Sequence, residues 1–300
     1  MRATVDAHWA FRRYQEIRSR LPDAASPIAS EQAVDLGQIT DRFDVFMFDS
    51  FGVLNVGNTA IPGAAARITA LRNAGKQVIV LTNAASLPLG ANVAKYAAFG
   101  FDFSDDEIVS SRAVLAKAVM EYDADMLWAV AAPQSSLIDE LPCKTCPLDG
   151  RGLSNADGFI LLSSADWTED RQDELQSALR LRPRPVLVGN PDLVAPREVG
   201  FTREPGSYAH ALADDLNIVP SFFGKPYANA FEMALSRLAS KPDLSRVLMI
   251  GDTLHTDILG GAAMGIKTAL VTDHGVMRCM DVAACIAESE IRPDFIIPSI

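Results

Sequence analysis

Side chains able to do phosphate or metal chemistry follow three short apolar runs that are far apart in the chain. A carboxylate at such a place can act as a nucleophile or bind a divalent cation, and a hydroxyl can hold a phosphate. Each run and the residues that follow it are Val45–Phe48 with Asp49, Val78–Leu81 with Thr82 and Asn83, and Val247–Ile250 with Gly251 and Asp252. Together these residues indicate an acid-rich site built at the ends of strands.

The apolar runs alternate with segments of helical pattern. Ile61–Ala74 reads as a helix, with Pro62 in its first turn and Gly75 after its end. Short buried strands alternating with helices predict an α/β fold with a parallel sheet. Ligands of such sheets bind outside the carboxyl ends of the strands, so the three polar ends are expected at one rim.

The same alternation repeats between about residues 87 and 220. The candidate strands there are Met126–Val130, Phe159–Leu162 and Val186–Val188, and the candidate helices are Ser110–Tyr122, Thr168–Leu181 and Ser207–Leu216. A stretch of this length can bury its own core. We therefore expect a main domain of residues 41–86 and 221–300 with residues 87–220 inserted into it. One large continuous sheet is the alternative.

Residues 1–40 read as a helical extension. Ala10, Tyr14, Ile17 and Leu21 fall at helical spacing, which predicts a helix packed on the main body with its arginines in solvent. A second short helix is expected over Ser30–Leu36, with Ser30 as its N-cap.

Composition excludes several classes of protein. The 300 residues are 49% hydrophobic and 22% charged, which is ordinary for a globular chain. A net charge of −11 without basic clusters argues against nucleic acid as a partner. No apolar stretch is long enough for a membrane span, and the N-terminus lacks a signal-peptide pattern, so a cytoplasmic protein is expected. Cys143 and Cys146 form a CxxC without the second pair that structural zinc needs, which favours an ordinary loop.

Four motifs in order resemble the haloacid dehalogenase superfamily. They are Asp49-Ser50-Phe51-Gly52-Val53-Leu54, Leu81-Thr82-Asn83, Gly224-Lys225-Pro226 and Gly251-Asp252-Thr253-Leu254-His255-Thr256-Asp257. The last motif resembles the class IIA, or NagD-type, branch. That branch places a large α/β cap between the second and third motifs, which matches the long insertion here. The resemblance covers about residues 41–300 and implies a Rossmann-like core with an inserted cap.

The resemblance also implies roles for individual residues. Asp49 matches the nucleophile that forms an aspartyl-phosphate, and Lys225 matches the lysine that balances its charge. Asp49, the backbone carbonyl of Phe51, Asp252 and Asp257 match the residues that hold or support Mg²⁺. Thr82 and Asn83 match the phosphate-binding motif, while Asn190 and Asp192, in Asn190-Pro191-Asp192, resemble the cap loop that faces the substrate.

Phe51 departs from the superfamily pattern, which usually has a second aspartate here as the general acid. A phenyl ring cannot transfer a proton, a loss typically worth about 10²–10⁴ in rate. Four interpretations remain open: a slow phosphatase or one using a good leaving group, a proton donor elsewhere such as His255 or Asp192, binding without turnover, and a dehalogenase-like displacement. Two acids in the last motif disfavour the dehalogenase.

We therefore expect a Mg²⁺-dependent phosphatase acting on a small phosphorylated metabolite through Asp49. The alternative is a non-catalytic protein of the same fold that binds a phosphometabolite or a partner. Caps of this type often dimerise, so the resemblance also allows a homodimer.

Overall fold

The computed structural model describes residues 5–300, which form helices and mostly short strands. The helices are α1 Ala7–Glu16, α2 Ala64–Asn73, α3 Leu89–Ala98, α4 Ser111–Val119, α5 Gly150–Asn155, α6 Glu169–Leu181, α7 Pro205–Leu216, α8 Ala228–Ser236, α9 Leu259–Ala263 and α10 Val282–Ser289. The strands are β1 Glu31–Gln32, β2 Val45–Phe48, β3 Asn55–Val56, β4 Thr59–Ala60, β5 Gln77–Thr82, β6 Ile108–Ser110, β7 Leu127–Ala131, β8 Lys144–Pro147, β9 Gly158–Leu161, β10 Val186–Val188, β11 Val194–Pro196, β12 Phe201–Arg203, β13 Ser221–Phe222, β14 Val247–Gly251, β15 Lys267–Val271 and β16 Phe295–Ile297.

Seven strands form a first sheet in the order β1-β16-β15-β14-β2-β5-β6, and all of its pairings are parallel. Both faces of this sheet are covered. Phe46 and Phe48 pack toward α2 and α3, whereas Met47 between them packs toward Phe231 of α8. Helices on both faces explain why the strands are continuously apolar rather than alternating.

A second sheet has five parallel strands in the order β13-β10-β9-β7-β8. Leu175 of α6 and Leu212 of α7 are buried on one of its faces. Leu115 of α4 is buried on the other face, while its neighbour Val114 is buried against the first sheet. The two sheets confirm the expected α/β class, and α4 packs against both of them.

Strand pairing across the expected boundaries at residues 87 and 220 suggests a different division of the chain. β6 extends the first sheet although it lies beyond residue 87, and β13 belongs to the second sheet although it lies beyond residue 220. Both strands are too short to be told from their flanking loops by apolar pattern alone. We propose that the inserted domain begins within α4 and ends after β13.

The N-terminal extension differs from expectation after its first helix. Glu31 and Gln32 form an edge strand paired with β16, and the following helical turns span Leu36–Arg42 with Asp35 as N-cap. The predicted Ser30–Leu36 helix is therefore wrong, because the backbone of this segment pairs with a sheet edge. Of the CxxC pair, Cys143 lies in a loop as expected, whereas Cys146 is part of the edge strand β8.

The helix α1 packs as expected and connects the two sheets' domains. Phe11 and Tyr14 are 5% and 4% exposed, in a cluster that contains Leu193 of the insertion and Leu254 of the main domain. Two arginines of this extension form ion pairs with the insertion instead of facing only solvent. Arg13 and Arg20 both pair with Asp214 of α7.

Within the described residues, none of the helices has both the length and the apolar run that crossing a bilayer requires.

Replacing Phe11 with alanine should release α1 from both domains. Removing a buried phenyl ring typically costs about 3–5 kcal/mol, so local opening of this helix should rise by at least about 10²-fold. Trypsin cleavage at the nearby arginines, followed by mass spectrometry, measures that opening. His8→Ala is the matched control, because His8 is exposed on the same helix. Equal cleavage rates for both variants would contradict the packing interpretation.

Candidate active site

Parallel register brings the ends of β2 and β14 together. Phe48 pairs with Ile250, and the Asp49 backbone N–H donates to the Ile250 carbonyl at 2.8 Å. Asp49 and Asp252 therefore emerge beside each other at the carboxyl rim. The expected convergence of these two acids is observed.

Lys225 reaches the same point from the loop that follows β13. Its Nζ lies 2.6 Å from Asp49 Oδ1 and 2.7 Å from Asp257 Oδ1. The Lys225 and Asp257 side chains are 2% and 0% exposed, and the Asp49 side chain is 13% exposed. Burial alone lowers the pKa of Lys225, but the surrounding carboxylates outweigh this effect and the pKa is raised. The lysine is therefore a fixed positive charge.

A wide π-helical turn over Leu254–Ile258 directs Asp257 back toward the end of β14. Its Oδ2 accepts a hydrogen bond from the Thr253 backbone N–H at 3.1 Å. Gly251 is required beneath it, because a Cβ there would overlap the Asp257 carboxyl group. Turns of this kind are frequent at functional sites.

Asp252 is fixed by two donors and two glycines. The Thr253 hydroxyl donates to Oδ1 at 2.8 Å, and the Val276 N–H donates to Oδ2 at 2.7 Å. Gly52 and Gly275 both have positive φ, at 84° and 68°, and a Cβ on either would overlap this carboxylate. The glycines thus leave room for an acid held in one orientation.

The three aspartates form a donor set suited to a metal ion. Their carboxylate oxygens lie within 4.8 Å of one another. Burial raises the pKa of Asp49 to about 7, with Lys225 opposing and Asp257 adding to the rise. Burial raises the pKa of Asp252 as well, and the charges of Asp49 and Asp257 add to the rise. Three acids against one ammonium leave excess negative charge, and a hard divalent cation with oxygen ligands would relieve it.

Thr82 and Asn83 end the adjacent strand β5 and are both 1% exposed. The Thr82 hydroxyl accepts from the Ala84 N–H at 3.2 Å. The Asn83 side chain is occupied by structural bonds: its oxygen accepts from the Lys225 N–H at 2.8 Å and the Ser111 hydroxyl at 2.9 Å. The Asn83 side chain therefore holds the backbone of the loop that carries Lys225. That the backbone N–H groups of this strand end bind phosphate stays a prediction.

The Asn190-Pro191-Asp192 loop reaches this site from the inserted domain. The Asn83 amide donates to Asp192 Oδ1 at 2.8 Å. Burial raises the pKa of Asp192 to about 7, although Lys225 and the Asn83 hydrogen bond act against the rise. Asn190 instead turns inward, where its amide donates to Glu204 Oε2 at 3.1 Å. Asp192 is therefore the residue of this loop whose side chain lies beside Asn83 and the Lys225 loop, whereas the Asn190 side chain points away from them.

Phe51 lies two residues beyond the nucleophile, and two cations lie close to its ring. Lys95 Nζ lies 4.5 Å from the ring centroid, and the Arg197 guanidinium carbon lies 5.3 Å from it. The face of an aromatic ring attracts cations. Phenylalanine can therefore stabilise the two nearby cations at a position where the superfamily usually has an acid. The Phe51 carbonyl as a metal ligand remains a prediction.

His255 is buried rather than on a helix surface. It is 1% exposed, its ring stacks on Tyr14 with centroids 4.9 Å apart, and its Nε2 lies 2.7 Å from Gln15 Oε1. Burial lowers its pKa to about 3. The contacts of this buried histidine to α1 connect the last motif with the N-terminal extension.

Sequence reasoning missed four residues that shape the site. Gly275 and Val276 follow β15 in an ordinary-looking loop, and no spacing rule marks them. Lys95 lies in an unremarkable helix, and Arg197 lies in a loop of the insertion. Only the fold brings these residues to the rim.

Comparisons with known proteins agree with this geometry. The model of the haloacid dehalogenase-like hydrolase family matches residues 46–141, and a second one, HAD-hydrolase-like, matches residues 222–300. Human glycerol-3-phosphate phosphatase is 28% identical over 288 residues, which cover 86% of this chain and 88% of that protein. The ribonucleotide monophosphatase NagD of Escherichia coli is 26% identical over 253 residues, covering 84% and 94%.

A solved structure from Cytophaga hutchinsonii, described as a possible sugar phosphatase of the HAD superfamily, superposes with a TM-score of 0.81. It is 26% identical, and the alignment covers 90% of this chain and 98% of the other. The similarity thus spans both sheets and the segments that connect them.

Replacing Gly275 with alanine should weaken binding of a divalent cation by at least about tenfold, because the new Cβ displaces the Asp252 carboxylate. The measurement is the rise in Tm with increasing Mg²⁺ or Mn²⁺. Gly265→Ala is the matched control: its φ of 72° is similar, but no atom lies within 4 Å of the added Cβ. Both variants should lose about 1 kcal/mol of stability from backbone strain. A Gly275 variant that responds to the metal like the control would contradict this role of Asp252.

Proposed function

We propose that this chain, which belongs to the haloacid dehalogenase-like hydrolases of class IIA and is a phosphoric monoester hydrolase, cleaves a small phosphomonoester through a covalent intermediate on Asp49. The observation that carries the proposal is the contact of Lys225 with Asp49 and Asp257 at the rim where Asp252 also ends. The family expected from the four motifs is confirmed by the matches. The mechanism below is proposed from the geometry.

A carboxylate oxygen of Asp49 attacks phosphorus while the bond from phosphorus to the ester oxygen breaks. Water then attacks the aspartyl-phosphate, releases inorganic phosphate and restores the carboxylate. Lys225 favours the ionised form of Asp49 and offsets the negative charge of the incoming phosphate. Lys225 also stays protonated throughout, since its raised pKa prevents it from serving as a base.

A Mg²⁺ ion fits the donor set of Asp49, Asp252 and Asp257, with the Phe51 carbonyl as a further oxygen ligand. When bound, the ion would neutralise charge on the carboxylates and the phosphate. The glycines at 52 and 275 leave the space that the Asp252 carboxylate occupies. The residues therefore fit a magnesium-dependent phosphatase.

Asp192 is the proton donor that the geometry favours in place of the missing acid at position 51. Its carboxyl group is anchored by Asn83, next to the lysine loop, and a pKa of about 7 leaves it partly protonated at neutral pH. His255 is less suited, because its Nε2 is hydrogen-bonded to Gln15 and its low pKa leaves no proton to donate.

Asp49→Asn tests the nucleophile. With Mg²⁺ and p-nitrophenyl phosphate, the variant should lose at least about 10³-fold in kcat, because an amide cannot form the acyl phosphate. Asp44→Asn is the control, since Asp44 precedes the same strand but pairs with Arg246 at the surface. A wild-type rate no higher than that of Asp49→Asn, over a panel of sugar phosphates as well, would favour the alternative of a non-catalytic phosphometabolite-binding protein.

Asp192→Asn tests the proton donor. An alkoxide leaving group needs a proton, so kcat on propyl phosphate should fall by about 10²-fold. p-Nitrophenolate leaves readily as an anion, so its release should change by less than about threefold. Because the donor must be protonated, the wild-type rate on propyl phosphate should decline as the pH rises above about 7, and the variant should lack this decline. Equal losses on both esters would instead assign Asp192 to holding the loop. Asp139→Asn, an exposed aspartate of the insertion, is the control.

A further inference from the structure

Two cations, one from the main domain and one from the insertion, lie close to the Phe51 ring. Lys95 comes from α3 of the main domain, and Arg197 follows β11 in the insertion. Phe51 is two residues beyond Asp49, so this pair lies beside the nucleophile. Neither cation faces an acid at position 51, because the residue there is aromatic.

Arg197 is held in place by its own domain and by contact with the main domain. Its Nη2 lies 3.0 Å from Glu204 Oε1, and its Nε donates to the Thr202 hydroxyl at 2.9 Å. The next residue, Glu198, accepts from the Asn58 N–H at 2.6 Å, which joins the tip of the β11–β12 hairpin to the turn between β3 and β4. These contacts therefore fix the position of the Arg197 guanidinium.

Lys95 is also fixed, but it lacks a counter-charge. The neighbouring Tyr96 hydroxyl donates to the buried Ser50 hydroxyl at 2.8 Å and so ties α3 to the first motif. The ammonium group lies 5.4 Å from the Tyr96 ring centroid and 5.6 Å from that of Phe99. Across residues 5–300, no carboxylate lies within 4.0 Å of it. Burial and then Arg197 lower the pKa of Lys95 to about 8, while Asp49 raises it.

A half-buried cation with aromatic neighbours and a second cation nearby is incompletely neutralised. Burying a charge is costly unless it is paired, so this arrangement is stable mainly through the three rings and favours an anion as partner. The Asp49 charge raises the pKa of Lys95, so this ammonium lies near enough to the nucleophile to meet the leaving group of a phosphoester bound there. The phosphate itself would be met by Lys225 and by the cation that the three acids would hold.

We propose that Lys95 and Arg197 bind a negatively charged group on the leaving-group side of the substrate, a carboxylate or a second phosphate. The substrate class is then a phosphomonoester of an anionic alcohol rather than of a neutral sugar or polyol. This inference rests on the proposed function. It also gives Phe51 a role, because an aspartate there would pair with Lys95 and cancel the charge that the substrate requires.

The test compares esters that differ only in the terminal group. Carboxyalkyl phosphates of two, three and four carbons, alkyl phosphates of the same lengths and the corresponding alkanediol bisphosphates are assayed with Mg²⁺. A charge-assisted contact predicts a kcat/KM about 10- to 100-fold higher for the best anionic ester than for its alkyl counterpart. The carboxylate and bisphosphate series decide which anion is preferred.

Lys95→Met should remove most of that preference, and Lys95→Arg, which keeps the charge, should restore at least half of it on a logarithmic scale. Lys117→Met controls for loss of an exposed helical lysine and should retain the preference. A wild-type protein that hydrolyses both series equally would overturn the inference while leaving the phosphatase intact. Equal losses on both series in Lys95→Met would also overturn it, because the lysine would then serve the phosphate or the fold.

Binding to the Asp49→Asn variant, measured by calorimetry, separates the inference from catalysis. The best carboxyalkyl or bisphosphate ester should bind at least about tenfold tighter than the alkyl phosphate, and adding Lys95→Met should abolish the difference. This result would support the anion site even if no ester were hydrolysed. Equal affinities would overturn it.

Discussion

The ammonium of Lys225, held between Asp49 and Asp257 at 2.6 and 2.7 Å, is the interaction around which the site is organised. A lysine that is 1% exposed needs carboxylates close by, since an unpaired buried charge is costly. The reverse also holds, because the acids repel one another without it. Each charge therefore depends on the others, and the loop of Lys225 depends in turn on the Asn83 side chain that binds its backbone. The third motif is positioned by the second before any substrate arrives.

Parallel pairing accounts for the rest of the convergence. Strands β2, β5 and β14 are neighbours, so their polar ends share one rim whatever their separation in the chain. Residues at this rim must accept unusual geometry. Gly52 and Gly275, with positive φ and no side chain, allow Asp252 to lie between them. The backbone at both glycines thus approaches the Asp252 carboxylate more closely than a residue with a Cβ would permit.

The sequence predicted the residues that end strands and failed for those that arrive from elsewhere. Asp49, Asp252 and Thr82 follow short, uninterrupted apolar runs, and this signal is local, so it could be read directly. Lys225 and Asp257 needed the motif resemblance, because a lysine before proline is otherwise an ordinary turn. Lys95 and Arg197 had no local signal at all: one lies in a helix of ordinary composition, and the other lies in a hairpin loop whose position depends on Glu198 meeting Asn58. The β6 boundary was missed for a similar reason, since three residues carry no period.

The aromatic residue at position 51 changes how charge is shared between the two domains. An acid there would bring a proton and a negative charge from the main domain. With phenylalanine, the proposed proton donor Asp192 and the Arg197 cation near the ring are both supplied by the insertion. Proton supply and charge recognition would then depend on contact between the domains. The helix α1 bears on this contact, because Tyr14 accepts a hydrogen bond from the Leu193 N–H, next to Asp192, and stacks on His255 of the last motif. The N-terminal extension therefore connects the loop that carries Asp192 to the turn that carries Asp257. This connection restrains the relative position of the two domains, on which the proposed proton donor depends because position 51 holds no acid.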